Sequence, residues 1–243
     1  MNTNEHQKLQ PTFGGSFSHG WDTMMKYFLI LLLVVIVMSI IMAPMQMGNM
    51  VNYKMDHFNW GKDFSKFFNS GFIAIGMIAA ILGIMALAYG LLVVPIFRYG
   101  SNLIFVHAAR DVRPGFETLI AGFKENYLYI VLANLLTAAL VMLGIIFLFI
   151  PGIIIGCRLA FVSYLVMDKK LDPIIAVEES WRLTRGHGWT IFFMGIVSFF
   201  LCIIGFALLF VGILPAIIWV KSSFASLYEA VLNEKEVTTE IAE

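Results

Sequence analysis

Two long apolar stretches dominate the second half of the chain. Tyr127–Met167 and Gly188–Tyr228 each contain a single charged residue, Arg158 in the first and Lys221 in the second. A helix needs about 20 apolar residues to cross the hydrocarbon core of a bilayer, at ~1.5 Å per residue. Each stretch is long enough for two crossings, so the pattern predicts two hairpins of transmembrane helices.

A proline near the middle of each stretch, Pro151 or Pro215, indicates where each hairpin turns. The single cation follows that proline by about two helical turns, which places it inside the returning span. A cation within a span costs roughly 2.5–3.5 kcal/mol on insertion scales, so it usually has a partner or a function. We expect Arg158 to face the bundle interior and to find an acceptor on a neighbouring span or on a bound anion.

The first half of the chain is less regular. Tyr27–Met47 predicts a first span that ends near Pro44, followed by a polar loop over residues 48–70. That loop carries Phe64, Phe67 and Phe68 at a spacing that suits a helix lying at the membrane interface.

Hydrophobicity resumes at Phe72 and continues to Ala109, which is too long for one straight span. The segment is either one long span kinked at Pro95 or two spans that meet near Gly90.

The pattern therefore predicts an all-α polytopic bundle of six spans, or seven in the alternative. Residues 1–26 form a cytoplasmic segment with an amphipathic helix, 27–232 the transmembrane domain, and 233–243 an acidic polar tail. Composition agrees with this class, since 60% of residues are hydrophobic and 13% are charged, against about 25% charged in soluble domains. The last four spans are expected at 127–149, 152–167, 189–210 and 215–232.

Charge sets the orientation, because cytoplasmic segments are rich in Lys and Arg. With both termini inside the cell and the protein in the inner membrane, only Lys54, Lys62 and Lys66 lie outside. The seven-span alternative moves the N-terminus and residues 48–70 across and also satisfies the rule. The cytoplasmic Lys and Arg residues are Lys8, Lys26, Arg98, Arg110, Arg113, Lys124, Lys169, Lys170, Arg182, Arg185 and Lys235.

A threefold internal repeat is a further prediction. A small residue followed by an aromatic precedes each hairpin, as Gly20-Trp21, Gly122-Phe123 and Ser180-Trp181. Aligning Pro114 with Pro173, and Pro151 with Pro215, brings Phe105, Tyr164 and Tyr228 to one position. The predicted unit is an amphipathic surface helix followed by a hairpin of spans.

Segments between Pro95 and Tyr228 resemble bacterial six-span membrane proteins of unassigned function. That group is related to the membrane domain of some glycerophosphodiester phosphodiesterases. The resemblance implies six spans with cytoplasmic connecting helices and no reaction, because the hydrolase activity of those enzymes belongs to a separate soluble domain. It is carried by Pro95–Gly100, Ala109–Arg110, Phe116–Lys124, Ile150–Ile154, Ala176–His187 and Gly212–Pro215.

Candidate binding residues are the cations Arg98, Arg158 and Lys221, with Tyr164 and Tyr228 beside them in the aligned repeat. No Asp or Glu lies within the predicted spans, apart from Glu229 at the end of the last, so an external anion is the expected partner. The neutral alternatives for Arg158 are Asn134, Thr137, Ser163, Ser222, Ser223 and Ser226. We expect Asn134 and Thr137 to bond between helices.

The sequence favours a non-enzymatic membrane protein that binds or moves an anionic lipid or another anionic amphiphile. A structural, assembly or immunity-type partner of another membrane protein is the alternative, and a small-solute transporter comes third. No enzyme motif, paired nucleophile and base, metal site or cofactor site is recognisable. The zero net charge argues against a nucleic-acid partner. Membrane lipids are the expected partners, and the oligomeric state is not predicted.

Overall fold

The computed structural model describes residues 11–56, 70–124, 126–147, 149–207 and 212–242, which form eleven helices without a strand. The predicted all-α class is confirmed for this part of the chain. The helices are α1 (Phe13–Lys26), α2 (Phe28–Asp56), α3 (Ser70–Leu92), α4 (Val94–Ala109), α5 (Glu117–Lys124), α6 (Tyr127–Phe147), α7 (Phe149–Arg158), α8 (Val162–Asp168), α9 (Pro173–Leu183), α10 (Gly188–Ala207) and α11 (Ile213–Ala242).

Four segments in the described part are long and apolar enough to cross a membrane: Gly76–Ala109, Tyr127–Phe147, Ile150–Asp168 and Gly188–Ala207. The apolar part of α2 adds a fifth when it is taken together with α1, from which it is bent by 93°. These spans support the multi-pass membrane class. The sharp bend also means that α1 lies across the bundle when α2 spans it.

The chain departs from the expected pattern at Pro44, because α2 continues through this proline to Asp56. A proline removes one backbone hydrogen bond, and transmembrane helices tolerate that loss where local adjustments satisfy the freed groups. The predicted polar loop therefore begins as helix. Its aromatic residues Phe64, Phe67 and Phe68 lie outside the described residues.

The segment Gly76–Ala109 is one candidate span of 34 residues, interrupted between α3 and α4 at Val93. Pro95 lies in the first turn of α4, where its missing N–H removes no helical hydrogen bond. Of the two alternatives for this segment, the single long span broken next to Pro95 is the one observed.

Both hairpin prolines lie in the first turn of the returning helix, Pro151 in α7 and Pro215 in α11, and not in the preceding turn. N–H groups in a first turn have no helical partner, which is why proline fits there. Glycines let α6 and α7 approach closely beside this turn, since a Cβ on Gly144 would lie 2.9 Å from the Gly152 Cα.

One helix from each returning segment, namely α4, α8 and α11, lies at the centre of the molecule. Each buries a large side chain completely or almost completely: Phe105 in α4, Leu165 in α8 and Tyr228 in α11. A hydrogen bond of 3.0 Å from Asn102 Nδ2 to Ser163 Oγ also joins α4 to α8. We call these three the inner helices.

The remaining helices surround the inner helices in a regular order. Helix α2 contacts α11 and α4, α6 contacts α4 and α8, and α10 contacts α11 and α7, which leads into α8. The short helix α1 packs on α11, α5 on α4, and α9 on α8. Thus α5 and α9 each pack on the inner helix that precedes them in the chain, and α1 packs on the last one.

The short helices α1, α5 and α9 bury small residues and leave an aromatic partly exposed. The buried positions include Gly20, Gly122 and Ser180. The apolar stripe of these amphipathic helices predicts that Phe123 and Trp181 are buried against the span ends, but both remain about two-fifths exposed. Their exposed faces suit the membrane interface, where aromatic rings are enriched.

The predicted acidic tail is the end of α11, which continues to Ala242. Glu234 Oε2 lies 3.2 Å from His187 Nε2, and Lys169 Nζ donates to Glu236 Oε1 over 3.2 Å. Glu234 and Glu236 thus join the start of this tail to the segments that flank α9.

Replacing Gly20 with Ala tests the packing of α1 on α11. A Cβ at this position would lie 2.6 Å from the Ser223 Cα, and such overpacking typically costs about 1–3 kcal/mol. We expect a lower melting temperature for the detergent-purified protein. Gly14→Ala is the control, because its Cβ meets nothing within 4 Å. Equal melting of the two variants would contradict this packing.

Candidate functional site

An ion cluster joins the three inner helices, at the C-terminal ends of α4 and α8 and within α11. Arg110, which follows α4, donates from Nη1 and Nη2 to the two carboxylate oxygens of Asp168 over 2.5 and 2.7 Å. Its Nε donates to Glu229 Oε2 over 2.7 Å. Burial disfavours the Arg110 charge, but the two carboxylates outweigh that effect and raise the pKa of Arg110. The guanidinium thus links α4 to both α8 and α11.

Tyrosine and phenylalanine rings complete this junction. The Tyr228 hydroxyl donates to Asp168 Oδ2 over 2.9 Å. The Tyr164 and Tyr228 rings stack with their centroids 5.1 Å apart, and Phe161 packs edge-on against Tyr228. Two of the predicted site residues are thus brought together, but Tyr228 is fully buried and serves the helix junction.

Two of the candidate cations belong to neighbouring inner helices. Lys221 Nζ donates to Ser101 Oγ over 3.1 Å and lies 5.4 Å from the centroid of the Phe105 ring. Arg98 is exposed and lies one helical turn before Ser101, whose hydroxyl accepts from Lys221 and donates to the Arg98 carbonyl over 2.9 Å. Neither cation has an ion pair with a described carboxylate. The pair therefore presents two positive charges that are not balanced by the described part of the chain.

Arg158 ends α7 and contacts a surface helix instead of another span. Its guanidinium carbon lies 5.8 Å from the Trp181 ring centroid, in a cation–π arrangement. Its Nη1 is buried and has no hydrogen-bond partner among the described residues. The expectation that a neighbouring span supplies a neutral acceptor is therefore wrong, because Asn134 and the predicted Thr and Ser residues make no bond to it.

The predicted fourth span is broken next to Arg158, between α7 and α8. Ser180 Oγ donates to the Arg158 carbonyl oxygen over 2.8 Å and accepts from the Phe161 N–H over 3.3 Å. Thr184 Oγ1 adds a bond of 3.3 Å to the same carbonyl. The side chains of α9 thus satisfy backbone groups that the break leaves free.

Asn134 and Thr137 do not form the predicted interhelical hydrogen bonds. Thr137 Oγ1 is buried without a partner among the described residues, and no hydrogen bond joins Asn134 to another described residue. These two residues do not define a polar path in the described part of the chain.

Folding does bring together one pair of a hydroxyl and an imidazole, which the sequence did not predict. His19 Nδ1 lies 2.9 Å from Ser226 Oγ, and Ser226 donates to the Ser222 carbonyl over 2.8 Å. Ser226 is completely buried, so the pair holds α1 on α11 and is closed to a substrate. Burial lowers the pKa of His19 despite the nearby carboxylates.

No group of three or more His, Cys, Asp or Glu side chains among the described residues could hold a metal ion. Sequence reasoning missed the cluster of Arg110, Asp168 and Glu229, since charges at span ends are typical of solvent-facing positions. The available signal was their place beside buried residues: Arg110 and Asp168 follow the buried stretches of α4 and α8, and Glu229 lies within that of α11.

Comparisons with protein-family models, with curated proteins and with solved structures find no match for this chain.

Proposed function

We propose that this chain is a non-enzymatic integral membrane protein that binds or moves an anionic amphiphile such as a phospholipid or an isoprenoid phosphate. The observation that carries this proposal is the positive charge of Arg98 and Lys221 on adjacent inner helices, since neither forms an ion pair with a described carboxylate. An anion that binds both cations would balance their charge.

The acidic residues that end the inner helices support an external anion. Arg110 engages both Asp168 and Glu229, so these carboxylates are already occupied. Lys221 receives only a neutral hydroxyl from Ser101 and the face of Phe105. A phosphate offers several acceptor oxygens and would provide the charge-assisted bonds that these cations lack.

The proposal includes six spans in the inner membrane, with α11 as the sixth and both termini cytoplasmic. It also includes three successive units, α1–α4, α5–α8 and α9–α11. The short first helix of each unit packs on the inner helix of the unit before it, and α1 packs on the inner helix of the last unit. The relationship to the six-span membrane proteins and to the phosphodiesterase membrane domain belongs to this proposal, and it implies no hydrolase activity.

Orientation is tested by labelling single-cysteine variants in intact cells with a reagent that does not cross the membrane. The positive-inside rule predicts that α9 is cytoplasmic, so a cysteine at position 182 or 185, both of which are exposed, is expected to stay unlabelled until the cells are opened. Labelling at either position from outside would contradict the proposed orientation.

Lipid binding is tested with the double variant Arg98→Gln/Lys221→Met, purified in mild detergent and examined by native mass spectrometry. We expect this variant to fold and to retain about one-tenth as much anionic lipid as the unmodified chain, because charge-assisted bonds to the lipid are lost. The control is Arg113→Gln/Arg185→Gln, which removes two exposed cations. Equal retention in the two folded variants would overturn the proposal.

A second function is favoured by α3, namely that of a structural or assembly partner of another membrane protein. Only 6% of the apolar window of Gly76–Ala109 is buried within the chain, against 22–44% for the three other spans. An uncovered span suits contact with another protein as well as with lipid. In the same mass spectra, a stoichiometric protein partner that stays bound when the lipid is removed would support this second function.

A further inference from the structure

Helices α3 and α4 together are longer than the bilayer core that the other spans cross. They run from Ser70 to Ala109, which is about 60 Å at ~1.5 Å per residue, and they are bent by no more than 40° at Val93. The three other spans have 19–21 residues, or about 28–32 Å, close to the ~30 Å of the hydrocarbon core. Since α4 packs on α8 and α11, tilting alone does not fit this segment into the core. One end of it therefore lies outside.

The register of the inner helices shows which end extends beyond the core. Asn102 Nδ2 donates to Ser163 Oγ over 3.0 Å, so these two residues lie at the same level. Helix α7 begins at Phe149, 14 residues before Ser163, and the residue 14 positions before Asn102 is Ala88. The part of α3 that precedes Ala88 therefore lies beyond the hairpin turn at Pro151.

The sequence of α2 agrees with this level. The Tyr89 hydroxyl donates to the Ile41 carbonyl over 3.0 Å, which sets α2 beside α3 with these two residues level. Beyond this point the polar and charged residues of α2 are Gln46, Asn49, Asn52, Lys54 and Asp56. Charged residues are strongly disfavoured at the centre of a span. The end of α2, and the start of α3 beside it, thus belong outside the core.

This outer part of α3 nevertheless has an uncharged, apolar surface. No Asp, Glu, Lys or Arg occurs between Ser70 and Phe97 in the sequence. Contiguous apolar patches larger than a few hundred Å² mark interaction sites where water would otherwise cover them. Seven large apolar side chains in this part are each more than half exposed: Met77, Ile78, Ile81, Leu82, Ile84, Met85 and Leu87.

Three of these residues form a line that suits packing on another helix. Met77, Ile81 and Ile84 are spaced by four and then three residues, the spacing of the a and d positions of a coiled coil. Ala79 and Ala86 lie on the opposite face of α3 and are half-buried. We call Met77, Ile81 and Ile84 the α3 seam. It faces away from the side of α3 that the chain itself covers.

We infer that the α3 seam is the interface of a homodimer, in which it packs against the α3 seam of a second copy outside the bilayer core. An uncharged face meets itself without like-charge repulsion and offers no complement to a charged partner. Both copies have the same orientation in the membrane, so the two helices are parallel and a two-fold axis brings identical residues together. This inference rests on the second function proposed above and deepens it by naming a second copy as the partner of α3.

Disulfide cross-linking in membranes tests the parallel arrangement. In a Cys157→Ala/Cys202→Ala background, Ile81→Cys and Ile84→Cys each place one thiol on the α3 seam. The matched control is Leu82→Cys, because Leu82 is 58% exposed against 57% for Ile81 but lies about 100° away around the helix. We expect at least about tenfold more disulfide-linked dimer at positions 81 and 84 than at 82, because seam residues of a parallel pair face each other.

A charge on the α3 seam tests the dimer without a cross-link. Ile81→Lys brings two like charges together across the interface, so we expect the dimer dissociation constant of the detergent-purified protein to rise at least about tenfold in native mass spectrometry. Leu82→Lys is the control, since it adds the same charge beside the seam. Both variants should melt as the unmodified chain does, because neither side chain is buried.

Equal cross-linking at positions 81 and 82, or a dimer that Ile81→Lys does not weaken, would overturn the inference. A different protein bound in place of a second copy would reject the homodimer and leave the second function standing. A monomeric chain without any protein partner would reject both and leave lipid as the cover of α3. Lipid binding by Arg98 and Lys221 is decided separately, by the double variant described above.

Discussion

The arrangement of the bundle depends on the ion cluster around Arg110. One guanidinium binds carboxylates from two other inner helices, and this fixes the positions of α4, α8 and α11 relative to one another. Removing one member of such a buried pair typically costs about 3–5 kcal/mol, because the remaining charge is left without compensation. The surface helices and the spans α2, α6 and α10 all pack on the inner helices. Their positions therefore also depend on this junction.

Small residues then decide how closely the surface helices approach. At Gly20 the backbone of α11 is too near for a side chain, and at Ser180 a hydroxyl bonds the broken backbone between α7 and α8. Interhelical contacts in membranes depend on such small residues, because lipid removes the hydrophobic drive for association. The aromatic next to each small residue lies at the edge of the contact. In α9 this aromatic is Trp181, and its ring contacts the guanidinium of Arg158.

Composition and periodicity predicted the helical membrane class, the positions of the two hairpins and the surface helices, because these follow from runs of apolar residues. The junction at Arg110 was not predictable, since its partners Asp168 and Glu229 are far away in sequence and look like ordinary charges at span ends. The break before α8 was missed for a similar reason. It depends on Ser180, whose hydroxyl reaches the Arg158 carbonyl only after α9 has folded back.

The most direct test of the central claim is a double-mutant cycle between Arg110 and Asp168. Unfolding free energies are measured in mixed detergent micelles for Arg110→Met, Asp168→Asn and the double variant. A junction that organises the fold predicts a coupling of at least about 1.5 kcal/mol, since two charge-assisted hydrogen bonds join Arg110 to Asp168 between helices. Additive effects within about 0.5 kcal/mol would contradict it, because they would mean that the two side chains do not depend on each other.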